Sequence, residues 1–491
     1  MLDNLCMLCA PLLCFLSVHG HVTSISSDAP IPTRGYSLTA HEPIPSNSTV
    51  WERLGSPRYI LAPMVDASEL PWRLLSRRYG AELCYTPMVG AHQFVTDRYL
   101  RQETLQSTPE DRPLIIQFCG NDASNMTAAA KMAEPYCDGI DINIGCPQKV
   151  AQRGHYGAYL QDEWDLLTEL IRSLRAAVSV LISCKIRIYP DVNKTVEYAK
   201  MLERAGCQLL AVHGRTLDQR GMNTGLASWE HIAAVRKGVR IPVIANGNIQ
   251  CLEDVHRCLE ETGVAGVMTA EGNLYNPALF SGQTKPAWEL AAEYLDLAAQ
   301  YPVRMRYVRG HMHNLFHHLL TLPDNYEMMQ MRQLIGKSKN VEDLRKVVPQ
   351  IRDRFIGYHE GQIVWCPPQD YDLKLPPWLC QSFVRPTAEE RELKQKNKTL
   401  DQELLGFPKA RKIMMRKAKY RWNMCTRNWN KTKCKHPRSN NCEHQLCRKC
   451  CIVYCKSEAR DCIPHKQKQS TNSTWIKTRT KDYEIKERGQ S

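Results

Sequence analysis

Short runs of apolar and β-branched residues recur along the first two thirds of the chain, and segments with apolar residues every three or four positions separate most of them. Eight of these runs are predicted to be strands: Tyr59–Val65, Leu83–Val89, Pro113–Gly120, Gly139–Gly145, Val180–Ile188, Gln208–Gly214, Pro242–Asn248 and Val264–Ala270. Eight strands alternating with helices over about 220 residues are typical of an α/β (β/α)8 TIM barrel. A doubly wound sheet usually has a glycine-rich phosphate turn after its first strand, and this chain has none there.

Beyond Gly282 the apolar pattern becomes helical. Apolar residues at helical spacing occupy Trp288–Gln300, Val303–Leu320 and Met328–Arg354. The second of these segments contains four histidines, His311, His313, His317 and His318. Histidine pairs four residues apart can bind a metal, but a solvated or RNA-facing helix is the favoured interpretation. We therefore predict a barrel over residues 56–285 and a helical domain over residues 286–384.

The positive charge of the chain is concentrated in its last fifth. Residues 385–491 contain 28 Lys and Arg against 11 Asp and Glu, a net charge of +17, whereas the rest of the chain carries −3. A basic appendage on a nearly neutral body indicates a polyanionic partner.

Cysteines crowd the same tail, where eight of the 21 fall within 38 residues. The candidate metal ligands are Cys434, Cys442, Cys447, Cys450, Cys462 and His465. Cys447-x2-Cys450 and Cys462-x2-His465 have the spacing of zinc ligands, so residues 385–491 are predicted to be a basic linker followed by a zinc-binding tail. A disulfide scaffold is the alternative, and whether one ion or two bind is left open.

Residues 1–55 are predicted to be a disordered leader. Leu8 to Val18 is an apolar run of signal-peptide length, but Asp3 stands where a basic residue is expected. The run is too short to span a membrane. Asn47-Ser48-Thr49 has the spacing of a glycosylation site, a tripeptide that is common by chance. We favour a disordered leader or a mis-assigned translation start over secretion.

Polar residues gather where the predicted strands end. They are Gln117, Asn143, Cys146, Lys185, Arg187, His213, Asn246 and Asn248. Ligand sites of α/β folds lie at this end of the strands. Lys185 and Arg187 are two residues apart on one strand and so point to the same side, where two desolvated cations need an anion or an electron-rich ring. A flavin with its phosphate would supply both.

Six motifs, in order, resemble those of the tRNA-dihydrouridine synthases. They are Leu61-Ala62-Pro63-Met64-Val65, Ile116-Gln117-Phe118, Asn143-Ile144-Gly145-Cys146-Pro147, Lys185-Ile186-Arg187, Val212-His213-Gly214-Arg215-Thr216 and Ile244-Ala245-Asn246-Gly247-Asn248. The resemblance extends from about Arg58 to Gly282. Three further features resemble the eukaryotic branch of the family that acts on D-loop positions 16 and 17. They are Gly154-His155-Tyr156-Gly157, the segment from Ala270 to Pro277 and the basic tail.

The resemblance implies FMN as cofactor, NADPH or NADH as electron donor and a uridine of tRNA as substrate. The residues that it places at the cofactor are Pro63, Met64, Val65, Gln117, Lys185, His213, Asn246, Gly247, Asn248, Ala270 and Glu271, and those at the uracil are Asn143 and Arg187. Glu271 departs from the family pattern, because many relatives have an arginine there. A carboxylate cannot pair with phosphate, so Glu271 cannot take the place of that arginine. We also expect a monomer without membrane contact, in the cytoplasm, with the nucleus as a further location.

Cys146 is the candidate general acid. Reduction of the uracil C5–C6 bond adds hydride to C6 and a proton to C5 from the opposite face, so an acid must stand across the base from the flavin. A free thiol has a pKa of about 8.5 and is mostly protonated at neutral pH. Two alternatives are a non-catalytic tRNA-binding protein on a barrel and an FMN-dependent reductase of a small molecule such as a dihydropyrimidine. Intact Cys146, Lys185 and His213 argue against the first alternative, and the basic tail argues against the second.

Overall fold

The predicted strands form a closed parallel barrel in a computed structural model of the chain. The structure describes residues 49–322, 326–367, 371, 373–383, 428–429, 432–433, 442, 444, 446 and 448–457. In the described part of residues 1–385, the strands are β1 Tyr59–Leu61, β2 Leu83–Tyr85, β3 Val89–Gly90, β4 Leu114–Cys119, β5 Gly139–Ile144, β6 Leu181–Arg187, β7 Leu209–His213, β8 Val243–Asn246 and β9 Gly266–Thr269. The chain divides into two units, Met1–Arg385 and Pro386–Ser491.

The barrel closes because β1 pairs with both β2 and β9, β2 also pairs with β4, and each strand from β4 to β9 pairs with the next. The short strand β3 pairs with β4 farther along, so β2 and β3 together act as one interrupted barrel strand. Pro87 lies in the interruption, and proline has no N–H to donate to a ladder. Eight strand positions result, and the predicted (β/α)8 fold is confirmed.

Helices cover the outside of the barrel and continue beyond it. The helices of the first unit up to the last strand are α1 Val50–Arg53, α2 Leu70–Arg78, α3 Ala91–Thr96, α4 Arg98–Thr104, α5 Ala123–Ala133, α6 Lys149–Gly154, α7 Trp164–Ala177, α8 Val192–Ala205, α9 Trp229–Gly238 and α10 Leu252–Thr262. After the last strand come α11 Glu271–Tyr275, α12 Ala287–Gln300, α13 Met305–Leu315, α14 His317–Leu320, α15 Tyr326–Lys337 and α16 Val341–His359. Short 3-10 helices occupy Pro109–Asp111, Glu134–Tyr136, Gly157–Leu160, Gly221–Asn223 and Leu279–Ser281.

The described part of residues 386–491 contains two short strands and one helix. They are β10 Asn428–Trp429, β11 Thr432–Lys433 and α17 Arg448–Ser457, and β10 pairs with β11 antiparallel. Among all described residues, no helix is both long and apolar enough to cross a membrane.

The histidine-rich segment is one helix in the prediction and two in the structure, because the helix is interrupted at Phe316. His311 is 1% exposed and His318 is 7% exposed, so the prediction of a solvated or RNA-facing helix is wrong for both residues. The His311 ring stacks on the buried Trp72 ring at 3.8 Å, and its Nε2 lies 3.1 Å from a carboxylate oxygen of Glu69. The Tyr294 hydroxyl donates to the same carboxylate at 2.8 Å. This buried group, which we call the Glu69 cluster, joins α2 of the barrel to α12 and α13.

Candidate active site

The strand register brings the predicted site residues to one rim of the barrel. Asn143 of β5 lies opposite Lys185 of β6, and Arg187 lies opposite His213 of β7. His213 in turn lies opposite Asn246 of β8. Residues paired in this way are neighbours across the ladder, so amide, imidazole and cationic side chains from four strands meet at the carboxyl end of the barrel.

A buried carboxylate sets the orientation of two amide side chains. Gln117 of β4 donates through Nε2 to Asp141 Oδ2 at 2.7 Å, and its Oε1 accepts from Asn143 Nδ2 at 2.8 Å. Asp141 also accepts from the Ser183 hydroxyl at 2.5 Å. A carboxylate can only accept, so Gln117 must turn its amino group toward Asp141 and its oxygen toward Asn143. We call this chain the Asp141 relay.

The Asp141 relay ends on the loop that carries the candidate acid. Asn143 Oδ1 accepts from the backbone N–H groups of Gly145 at 3.1 Å and Cys146 at 2.9 Å. On the other side of the loop, the Ala158 N–H donates to the Cys146 carbonyl at 3.0 Å. Gly157 has a φ of +69°, and a Cβ there would lie 2.7 Å from the same carbonyl oxygen. Both the left-handed backbone and this close approach require glycine.

Burial raises the pKa of Asp141 to about 6, while its hydrogen bonds from Ser183 and Gln117 and the nearby Lys185 act in the other direction. Asp141 therefore keeps its negative charge at neutral pH, inside the barrel and below the cationic rim.

Lys185 holds its ammonium group against the next strand but one. Its Nζ donates to Asn246 Oδ1 at 3.0 Å, and Asn246 Nδ2 donates to the Met268 carbonyl at 2.9 Å. Burial is the main reason that the pKa of Lys185 is lowered to about 8, and repulsion from Arg187 adds to it. Lys185 is still mainly charged at neutral pH.

Arg187 ties together the loops that follow β5 and β7. Its Nε donates to the Gly145 carbonyl at 2.8 Å, and its Nη1 donates to the carbonyls of Thr216 at 2.7 Å and Gln219 at 3.1 Å. The side chain is 7% exposed, and burial followed by repulsion from Arg215 lowers its pKa to about 10. These contacts position the Cys146 loop, and the predicted contact of Arg187 with uracil stays a prediction.

His213 is held as a neutral ring in one tautomer. Arg215 Nη1 lies 3.0 Å from His213 Nε2, and its Nη2 donates to Asn248 Oδ1 at 3.1 Å. A guanidinium has no acceptor atom, so Nε2 of His213 must accept and the ring proton sits on Nδ1. Burial, with repulsion from Lys185 and Arg187, keeps the pKa of His213 well below its usual range. The ring therefore offers an N–H donor through Nδ1.

The loop after β8 is shaped by two residues with positive φ, Gly247 at +115° and Asn248 at +64°. A Cβ on Gly247 would lie 2.6 Å from the Cβ of Ala227. Asn248 clamps the same segment by accepting from the Ala227 N–H and donating to its carbonyl, both at 2.8 Å. These contacts hold the backbone of the predicted cofactor residues Gly247 and Asn248 in one conformation.

The remaining predicted cofactor residues follow the first and last barrel strands. Pro63, Met64 and Val65 follow β1 after one residue, Ala62. The Met64 N–H donates to the Ser68 hydroxyl at 3.0 Å. Ala270 follows β9 as the N-cap residue of α11, and Glu271 is the first residue of that helix.

Residues 60–354 match the family described as dihydrouridine synthase (Dus), which is more than half of the chain. The chain belongs to the dihydrouridine synthase family. It is 47% identical over 435 residues to a mouse tRNA-dihydrouridine(16/17) synthase [NAD(P)(+)]-like protein. This alignment covers 84% of the chain and 89% of the mouse protein. It is 39% identical over 367 residues to the tRNA-dihydrouridine(16/17) synthase [NAD(P)(+)] of Schizosaccharomyces pombe. This alignment covers 68% of the chain and 90% of the yeast protein. A human tRNA-dihydrouridine(20a/20b) synthase [NAD(P)+]-like protein is 36% identical over 260 residues, covering 52% and 80%.

Membership of this family implies a bound flavin and a nicotinamide nucleotide as reductant. The charges on the rim of this dihydrouridine synthase fit such a cofactor. Lys185, Arg187 and Arg215 lie close enough that their charges lower the pKa of one another or of His213. The carboxylate of Asp141 acts in the opposite direction on the pKa of Lys185. An excess of buried positive charge is stabilised by an anion such as a flavin phosphate or by the electron-rich edge of its ring.

Two residues of the site, Asp141 and Arg215, were assigned no role in the sequence analysis. Asp141 has a signal in the sequence, because it is two residues from Asn143 on β5, whereas Arg215 lies beyond the end of β7 and has no such signal. Residues two apart on a strand project to the same side, so a polar residue at this spacing from a site residue is a candidate partner.

Of the six predicted metal ligands in the tail of the synthase, the structure describes Cys442 and Cys450, and both are buried. Cys434, Cys447, Cys462 and His465 lie outside the described residues. The Cys442 Sγ lies 3.5 Å from the Sγ of Cys451, a residue that was not among the six.

Proposed function

We propose that this synthase reduces uridine to 5,6-dihydrouridine at D-loop positions 16 and 17 of tRNA, with FMN as the flavin and NADPH or NADH as the electron donor. The observation that carries the proposal is the Cys146 loop, which the Asp141 relay fixes on the rim that also bears Lys185 and His213. The named positions rest on the mouse and fission yeast relatives, whose similarity covers most of the chain.

The bound flavin supplies the hydride for uracil C6. Cys146 donates the proton to C5 from the opposite face, acting as the general acid. Lys185 would supply a positive charge, and His213 an N–H donor through Nδ1, to stabilise negative charge that develops on the flavin or the uracil. Arg187 and Asn143 hold the loop in place, so that the thiol needs no rearrangement at the moment of proton transfer.

Two alternatives are less well supported. A tRNA-binding protein without catalysis has no need for an oriented thiol beside a lysine and a neutral histidine. A reductase of a small molecule has no use for a tail with a net charge of +17. We propose that the protein acts as a monomer in the cytoplasm, with the nucleus as a further location.

The proposal is tested with purified protein and an unmodified transcript of a tRNA that has uridine at positions 16 and 17. We expect bound flavin identified as FMN, reduced by NADPH and reoxidised by the transcript, with dihydrouridine mapped to the two positions by mass spectrometry. A protein without flavin, or with flavin that the transcript does not reoxidise, would contradict the proposal.

Retention of the flavin should depend on pH through Lys185. As pH rises from 7 to 9 through its pKa of about 8, the side chain loses its charge, and we expect the flavin dissociation constant to rise about tenfold. The unfolding free energy of the flavin-free protein should instead increase as pH rises above 8. The folded-state pKa of Lys185 is below its value in the unfolded chain, so the cost of burying the charge is present below pH 8 and is relieved as pH rises.

Lys185→Met is the matched variant, because it removes the charge at nearly constant length. It should bind flavin about tenfold more weakly at pH 7 and show little pH dependence between 7 and 9. His213→Ala should also weaken retention, since it removes the Nδ1–H donor. If both variants retained flavin as the parent does, the site would lie elsewhere on the rim.

Removal of the basic tail should weaken tRNA binding without loss of flavin. Residues before 385 carry a net charge of −3, so a chain ending at Val384 should bind the transcript at least about tenfold more weakly and with a flatter dependence on salt. Filter binding at low and physiological salt measures both changes. Equal affinity of the shortened and full chains at both salt concentrations would remove the tail from substrate capture.

A further inference from the structure

We propose that Cys442, His444, Cys451 and Cys455 form a tetrahedral zinc centre in the tail. This site differs from the ligand set predicted from the sequence, of which it contains only Cys442. It is independent of the proposed reduction of uridine, because every residue assigned to that reaction precedes Gly282.

The distances between these ligand atoms are those of a metal centre. The Sγ of Cys451 lies 3.5 Å from that of Cys442 and 3.7 Å from that of Cys455. Two thiolates bound to one tetrahedral zinc at about 2.3 Å are about 3.8 Å apart, whereas the sulfurs of a disulfide are about 2.05 Å apart. The ligand atoms of His444, Cys451 and Cys455 all lie within 4.8 Å of one another, and Cys442 adjoins this group through Cys451.

Secondary structure brings the four residues together. Cys451 and Cys455 are four residues apart on α17, so they share one face of the helix. Cys442 and His444 precede the helix, and His444 lies in a turn. The His444 ring lies 5.0 Å from the Tyr454 ring on the same helix, and this contact restricts the orientation of the imidazole.

The packing around the cluster indicates why a metal is needed. The buried cluster in the described part of residues 386–491 consists of Leu446 and four cysteines, Cys442, Cys450, Cys451 and Cys455. Among the described residues of the tail, this leucine and these four small side chains, with Tyr454 packed against them, bury little apolar surface, so a bound metal would add to the stability of the segment. In small domains of this kind, the free energy of metal binding supplies the free energy of folding.

Zinc content of the purified full-length protein tests the centre. Cys451→Ser and Cys455→Ser should each lose one zinc per chain relative to the parent. Cys366→Ser, a cysteine exposed elsewhere in the chain, should lose none. Any second ion held by the other tail cysteines would stay, so the difference of one equivalent is the result that matters. Variants with the zinc content of the control would overturn the proposal, as would a zinc-free parent with Cys442 and Cys451 in a disulfide.

A ligand exchange separates coordination from folding. His444→Cys keeps four ligands but adds a thiolate, so it should retain one metal per chain and, with Co²⁺ in place of zinc, show a stronger thiolate-to-metal charge-transfer band. His444→Ala should bind the metal at least about tenfold more weakly. An unchanged cobalt spectrum in His444→Cys would exclude His444 as a ligand.

Flavin content and turnover of the same samples keep the two proposals apart. Loss of zinc with flavin retained concerns this centre alone. Zinc present without flavin or turnover counts against the proposed reduction and leaves the centre intact.

Discussion

Replacing Cys146 with Ala should slow dihydrouridine formation about 100-fold or more while the flavin spectrum stays unchanged. The loss is the usual contribution of a positioned general acid. Cofactor binding should be unaffected, because the contacts assigned to the flavin come from other strands. The measurement is the single-turnover rate of flavin reoxidation by the tRNA transcript, with the rate of flavin reduction by NADPH as an internal reference.

Two further variants separate acidity from packing. Cys146→Ser keeps nearly the same shape but carries a far weaker acid, so it should be about as slow as the alanine variant. Cys251→Ala removes an exposed thiol after the β8 loop and should react like the parent. If the serine variant were fast, or if the alanine variant turned over normally, Cys146 would have no part in proton transfer.

Replacing Asp111 with Ala should cost about 3–5 kcal/mol of unfolding free energy, the largest effect expected from a single change outside the site. Asp111 is fully buried and receives Nε and Nη2 of Arg73, with the closest contact at 2.6 Å. Arg77 Nε lies 3.5 Å away, and the Ser107 hydroxyl donates at 3.0 Å. Removing the carboxylate leaves a guanidinium that is 1% exposed without its counter-charge.

Urea unfolding followed by tryptophan fluorescence measures the change. The control is Asp296→Ala, which breaks an ion pair with Arg345 on the surface, where the Asp296 side chain is 71% exposed. Such a pair contributes at most about 1 kcal/mol, so the control should unfold nearly like the parent. Similar losses for the two variants would mean that the buried pair is no more important than a surface one.

The strands were predictable because their signals are local. Short runs of apolar and β-branched residues predicted all eight strand positions, and the structure shortens them at their ends, as where Tyr59–Val65 becomes Tyr59–Leu61. The break in the second strand also had a local signal in Pro87. The polar site residues were likewise predicted one strand at a time, from side chains at strand ends, whereas the family resemblance alone supplied Pro63, Met64, Val65, Gly247, Ala270 and Glu271.

The connections between these residues were not predictable, because they arise only when the barrel closes. Gln117 meets Asp141 and Asn143 across 24 and 26 residues of sequence, so no local pattern shows that one carboxylate orients two amides. His311 was misjudged for the same reason. Its helix has polar residues enough to look solvated, but its partner Glu69 comes from 242 residues earlier in the chain.

The Glu69 cluster has a consequence for protein engineering. Trp72 and Glu69 belong to the barrel, yet they are covered by Tyr294 and His311 from the helices that follow it. A barrel that ends at residue 285 would expose the Trp72 indole and would leave the Glu69 carboxylate without its hydrogen bonds to Tyr294 and His311. Such an exposed apolar surface promotes aggregation. Chimeras with other family members should therefore exchange α2, α12 and α13 together, as one graft.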